Sequence, residues 1–298
     1  MHHFVRASDI ELQPAYEERS SGYSRCSLID GNSGSVHMGL GLAALEGDGA
    51  VELHVHSYEE SFYVTEGDPV LVLDRRAITL MPGACGVVPV GVPHAWRGAG
   101  QPARWIDMAA PQPREEGRPA DTFWLGAAPD EQPEPVDIRD PRSRHLFRLN
   151  DADLDIVELR RGAGVDAPTV SASMATALLA YSGISVKMLV DQRLDAQLSW
   201  MFMVEYQPTG VAQPHDHPLE ESYIILDGTV DVVADDERYT LDPGDVFWTG
   251  VGTIHAFYNE SGTTVRWLET AAPQPPARHS YRFDRDWEYL RQKLGEGA

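Results

Sequence analysis

The chain has 298 residues, 42% hydrophobic and 23% charged, with 46 acidic against 24 basic side chains and a net charge of −22. That length supports two domains with cores of their own. So acidic a surface repels phosphate backbones and anionic bilayer faces, so neither nucleic acid nor a membrane is expected as a partner.

No apolar run reaches the roughly 18 residues of a membrane span, and the start, Met1-His2-His3-Phe4-Val5-Arg6, lacks a basic-then-apolar leader. A cytoplasmic location is the expectation. Cys26 and Cys85 suit a reducing compartment as small apolar residues.

In chain order, the first distinctive segment is His54-Val55-His56, followed by Glu60 and the aromatic and β-branched run 61–64. That run predicts a strand. Glu66-Gly67-Asp68-Pro69 predicts a turn before the apolar run 70–73, and Pro82-Gly83 a second turn. Residues 114 to about 150 hold five prolines among many charges and read as a linker, with Phe123-Trp124-Leu125 able to pin part of it to a domain. The pattern then returns: His215-Asp216-His217, Glu221, the run 222–225, Asp227-Gly228, the run 230–233 and Asp242-Pro243-Gly244-Asp245. Residues 286–294 predict a short amphipathic C-terminal helix.

The return is a duplication. His54 maps to His215 (215 − 54 = 161), and Glu60 to Glu221, Gly67 to Gly228, Gly83 to Gly244 and His94 to His255 keep that offset. Arg104-Trp105 and residues 109–113 recur at 162, as Arg266-Trp267 and residues 271–275. The expected domains are 1–145 and 146–298. Short strands at this spacing predict an antiparallel, all-β sandwich or barrel in each.

Residues an even number apart on a strand share a face. His54, His56 and Glu60 are then expected on one continuous strand, as are His215, His217 and Glu221. His94 or His255 arrives from another strand, 38 residues after the second histidine. A lone His-x-His pair is ordinarily a hydrogen-bonded surface or core feature. Two tetrads with one internal spacing are expected to bind metal, through His54, His56, Glu60 and His94 in one domain and His215, His217, Glu221 and His255 in the other. Three imidazoles and a carboxylate suit one divalent iron, manganese, nickel, copper or zinc ion per domain, with about two positions left open for substrate or oxygen. Glu59 and Glu220, of odd parity, are expected to be solvated. His37, His145 and His279 fall outside the pattern.

These residues resemble the cupin superfamily. Residues 54–67 and 215–228 are similar to its first motif, and residues 83–94 and 244–259 to its second. Gly250 replaces the usual proline, and Asn259 matches a final position where the first repeat has Gly98. Resemblance to bicupins implies two tandem jelly-roll (double-stranded β-helix) barrels, ligands in each mouth, and a homo-oligomer. It names no single reaction. Oxalate decarboxylases usually carry an arginine three residues before the His-x-His, where this chain has Val51 and Ala212. Gentisate-type enzymes usually lack the glutamate, and storage bicupins have usually lost their ligands.

The leading expectation is a metal-dependent dioxygenase acting on an aromatic, enol or dione-type small molecule with O2, with Glu60 and Glu221 as general bases. Phe62, Trp96, Trp200, Phe202, Tyr223 and Phe257 flank the ligand strands and suit such a substrate. The alternatives are a redox-neutral decarboxylase, isomerase, lyase or aminohydrolase, and a bicupin that binds without turnover. Asn259 and the aromatic run 200–206 tilt the expectation toward the second centre.

Overall fold

The computed structural model describes residues 1–16, 18–114, 121–157, 182–274 and the backbone of 282–283. The predicted C-terminal helix and His279 lie outside the described residues. The described chain is nearly all β, its helical content confined to short turns. No helix among the described residues is long and apolar enough to cross a membrane.

Two compact units form, each drawing on both halves of the sequence. One contains residues 10–149 and 189–200, the other 1–9, 150–188 and 201–298. They are called the N- and C-terminal units below.

The N-terminal unit is one continuous sheet wrapped into a barrel. Its long strand Gly39–His56 makes this possible. The first part pairs with Ala103–Ala110 and Ser20–Ile29, the last part with His94–Arg97 and Thr122–Gly126. In the C-terminal unit the equivalent strand is broken into Trp200–Tyr206 and Val211–Asp216, in separate sheets. Pro208 explains the break: it stands where the first repeat has Gly47, lacks a ladder N–H, and precedes Thr209 at φ 70.

The same devices recur in both repeats. Gly67 (φ 70) and Gly228 (φ 73) turn the chain where an added Cβ would lie 2.2 Å from the Pro102 carbonyl oxygen or 2.5 Å from that of Thr264. Asp30 caps Gly31–Ser33 through Asn32 N, and Asp191 caps Gln192–Leu194 through Arg193 N. The repeated tryptophans are core. Trp105 stacks on Trp96 at 4.3 Å, and Trp267 on Phe257 at 5.3 Å.

The proline-rich segment is more than a linker. Its strand Thr122–Gly126 pairs antiparallel with the ligand-bearing strand, Thr122 opposite His56 and Trp124 opposite His54. Trp124 packs on the His54 ring at 5.0 Å, while Phe123 and Leu125 stay exposed. Leu146–Arg148 adds a further strand to the sheet beside Ala84–Val88.

Candidate metal centres

In each unit the ladder slips just before the first ligand, between Val51 and His54 or between Ala212 and His215. Such an irregularity re-aims the side chains that follow. It sets His54 directly opposite His94, and His215 directly opposite His255. Continuous-strand parity is not what gathers the ligands. The first strand stops at His56, and Glu60 stands on the next strand, Glu59–Glu66. In the second repeat Pro218 follows His217, which lies beyond Val211–Asp216, and Glu221 begins again on Glu220–Asp227. The glutamate returns by a bend, not by extension.

The first cluster joins His54, His56 and His94, whose ligand atoms lie within 4.8 Å of one another. The Glu60 carboxylate adjoins it, Oε2 lying 3.0 Å from His56 Nε2 and 3.7 Å from His94 Nε2. The second cluster joins His217, Glu221 and His255. His217 Nε2 lies 2.8 Å from Glu221 Oε2, and the His215 ring packs on His255 at 4.4 Å. Each tetrad is thus a tight group of three with the fourth residue against it.

The imidazoles are oriented from behind. Nδ1 of His54 donates to Glu52 O, of His94 to Val92 O, of His215 to Gln213 O, of His217 to Leu219 O and of His255 to Thr253 O. His56 Nδ1 meets Thr122 Oγ1 at 3.0 Å. A carbonyl that claims the Nδ1 proton leaves a lone pair on Nε2 and fixes the ring. His94 Nε2, fully buried, has no hydrogen-bond partner among the described residues. A buried acceptor without a partner is costly unless a cation meets it.

Charge follows burial. Burial, with His94 and His56 nearby, pushes His54 down to about 3, and burial lowers His56, His215 and His255 as well. Burial would raise both glutamates, but their imidazole neighbours prevail. Glu60 is held well below the usual carboxylate range, and Glu221 falls to about 2. His217 is the exception: burial opposes its charge, but Glu221 raises it above the ordinary value. Neutral imidazoles around an ionised carboxylate are the donor set a divalent transition ion takes, and these residues fit one.

A cavity of about 220 Å³ opens onto the first cluster. His54, His56 and Glu60 share its wall with Tyr16, Tyr23, Tyr58, Trp96, Arg25 and Asp107. Arg25 is bound to both Asp107 oxygens, by Nε at 2.9 and 3.1 Å and Nη2 at 2.6 Å. Gly41 makes the room, since a Cβ there would lie 2.2 Å from Arg25 Nη2. In the other repeat Val186, Phe202 and Glu269 occupy the matching positions of Arg25, Gly41 and Asp107.

Of the expected aromatics, Trp96 lines this cavity, whereas Phe62, Phe202 and Phe257 are core. Tyr16, Tyr23 and Arg25 were missed because they lie outside both motifs, and Tyr58 because it stands at a motif position that carries no ligand. Only the arginine, an isolated charge in the strand sequence 20–29, hinted at its role. Asn259 ties carbonyls instead of serving a centre, its Nδ2 donating to Gln207 O at 3.0 Å and Thr263 O at 2.6 Å. Glu59 and Glu220 are buried, not solvated. Glu59 accepts from the backbone N–H groups of Gln197 and Ser199 at 2.7 and 3.1 Å and from Ser199 Oγ at 2.6 Å. His145 donates from Nδ1 to Leu194 O.

A cupin domain family model matches residues 41–109 and 202–271. No curated protein matches the chain in sequence. The fold is similar to that of salicylate 1,2-dioxygenase from Pseudoaminobacter salicylatoxidans, solved as adducts with gentisate: TM-score 0.65, 15% identity, covering 91% of this chain and 81% of that one. It is also similar to the oxalate decarboxylase formate complex of Lactobacillus farciminis (TM-score 0.63, 14% identity, 98% and 92% covered). The Bacillus subtilis oxalate decarboxylase at pH 4.6 gives TM-score 0.63 and 14% identity, with 98% and 82% covered. At such identities the likeness is one of fold.

Proposed function

The chain is a bicupin of the cupin superfamily, and from that premise we propose that it is a metal-dependent enzyme, a dioxygenase of an aromatic, enol or dione-type small molecule, working at its N-terminal centre. One observation carries this reading: His54, His56 and Glu60 of the first cluster line a cavity walled also by aromatic rings, Arg25 and Arg114. That cavity favours the first centre over the second, toward which Asn259 and the aromatic run 200–206 had tilted the expectation.

His54, His56, His94 and Glu60 would hold a divalent ion there, and His215, His217, Glu221 and His255 a second. Such an ion acts as a Lewis acid and, when it is iron or copper, exchanges electrons with oxygen.

The chain's own groups supply the rest. Glu60 is ionised and accepts the proton of an enol or phenol as the substrate binds. Arg25 spends Nε and Nη2 on Asp107, and its remaining N–H groups are offered to an anionic oxygen. Tyr23 and Trp96 line the cavity, whose size suits a single small ring. We keep Glu60 as the base and read Glu221 as a ligand.

The redox-neutral reading draws on one feature. Tyr58 stacks on His56 at 4.3 Å, and burial keeps its phenol, like that of Tyr16, protonated and able to donate.

An oxygen electrode decides, with protein reconstituted separately with iron, copper, manganese, nickel and zinc and offered aromatic enols and diones. Oxygen uptake that Glu60→Gln reduces roughly 10²–10⁴-fold is expected. Turnover without oxygen uptake moves the assignment to the redox-neutral class. Protein that takes up no metal ends both.

A further inference from the structure

The two centres differ at the position two residues after each ligand glutamate. Phe62 of the first repeat is matched by Tyr223 of the second (223 − 62 = 161). Phe62 is core, edge-to-face on Trp96 at 5.2 Å. Tyr223 is equally buried, but its hydroxyl enters the cluster, 2.7 Å from Glu221 Oε2 and 2.9 Å from His255 Nε2.

Counting protons shows what this contact needs. Thr253 O claims the His255 proton on Nδ1 at 2.9 Å, so Nε2 brings a lone pair. The phenol has one proton, and it is donated to Glu221. The approach of Tyr223 Oη to His255 Nε2 therefore sets lone pair against lone pair in a fully buried place. A cation shared by both atoms resolves it. Metal bonds of about 2.1 Å at right angles put neighbouring donors about 3 Å apart. Tyr223 Oη stands at that spacing from Glu221 Oε2 and His255 Nε2, as Glu221 Oε2 does from His217 Nε2 at 2.8 Å.

We propose that Tyr223 is an oxygen ligand of the C-terminal centre, filling a position that the N-terminal centre, with Phe62, leaves open. This rests on the metal reading of the clusters. It gives the second centre five protein donors, His215, His217, Glu221, His255 and Tyr223, and about one open position in place of two. The added oxygen favours manganese or iron over softer ions.

The test uses the full-length chain with His54→Ala and His56→Ala, loaded with manganese(II). It reads bound manganese together with the relaxation of water protons, which follows the number of exchangeable waters on the ion. Tyr223→Phe is expected to keep its manganese and raise relaxivity per ion about twofold, from about one water to about two. With all histidines intact and both centres loaded, the rise is about one third. Manganese retained with unchanged relaxivity overturns the inference and leaves the metal reading standing. No uptake by the C-terminal centre overturns both. A similar rise from Phe62→Leu in a His217→Ala background would mark a general loosening of packing and overturn it too.

Discussion

His54 and His217 carry opposite electrostatic signs on closely similar scaffolds. The first refuses a proton until about pH 3, whereas the Glu221 carboxylate raises the affinity of the second for a proton above that of an ordinary histidine. An ion entering the C-terminal centre must displace that proton; at the N-terminal centre His54 holds none to displace near neutrality. Zinc uptake against pH, measured in His217→Ala and in His56→Ala, is therefore expected to persist to lower pH in the first variant, where only the N-terminal centre remains. Stability follows by linkage. Between about pH 6.5 and about 3 the unfolded chain binds a proton at His54 that the folded chain does not. The metal-free protein should thus lose urea resistance as pH falls across that window, and His54→Asn should flatten the loss. The His217 shift has the reverse sign: its stabilisation is complete below the unfolded value and lost as pH rises through the raised one.

Two elements position the N-terminal cavity, and each has a point of failure. The strand Gly39–His56 carries Gly41 beneath the Arg25 guanidinium. Gly41→Ala is expected to lever Arg25 off Asp107, cost roughly 2–3 kcal/mol and raise KM for an anionic substrate more than it lowers kcat. Equal losses in both would show that Arg25 acts only on the fold. The strand Glu59–Glu66 begins with a carboxylate that gathers the N–H groups of residues 197–199. Glu59→Ala leaves these donors and the Ser199 hydroxyl without their acceptor and should cost about 3 kcal/mol in urea unfolding; Glu59→Gln, which keeps one acceptor oxygen, should cost less. Sequence parity turned Glu59 away from the ligands and so toward solvent, which misplaced the side chain, because parity fixes only which face a residue takes. It does not say whether that face meets water or another segment.

At the level of the whole chain, two donor sets predict two ions per polypeptide, countable by elemental analysis of protein loaded and then freed of excess metal. His94→Ala should remove one of the two. Ligand linkage stabilises by about 2.7 kcal/mol when free metal stands at 100 times its dissociation constant. Chelation should lower the thermal midpoint by several degrees, roughly 5–10 °C at that loading. A midpoint indifferent to chelator, with metal shown to leave, would mean that the ions contribute nothing to holding the barrels closed.

The sequence alone determined the duplication, the all-β class and the identity of the clustered histidines and glutamates. These rest on spacing, which a linear chain displays directly. Local turn chemistry such as Gly67 and Gly228 was legible for the same reason, since φ is set within one residue. Three things waited for the tertiary structure. The bends at 57–58 and 218–219 return Glu60 and Glu221 to the histidines, so the clusters owe their assembly to sheet register and not to strand parity. Residues far from the motifs, Tyr16, Tyr23 and Arg25, join Tyr58 in walling one cavity, because a barrel brings together strands that no local pattern links. The Tyr223 hydroxyl enters a cluster that Phe62 cannot reach: one oxygen on matched rings, invisible to hydrophobic patterning, and decided only by where the folded chain aims it.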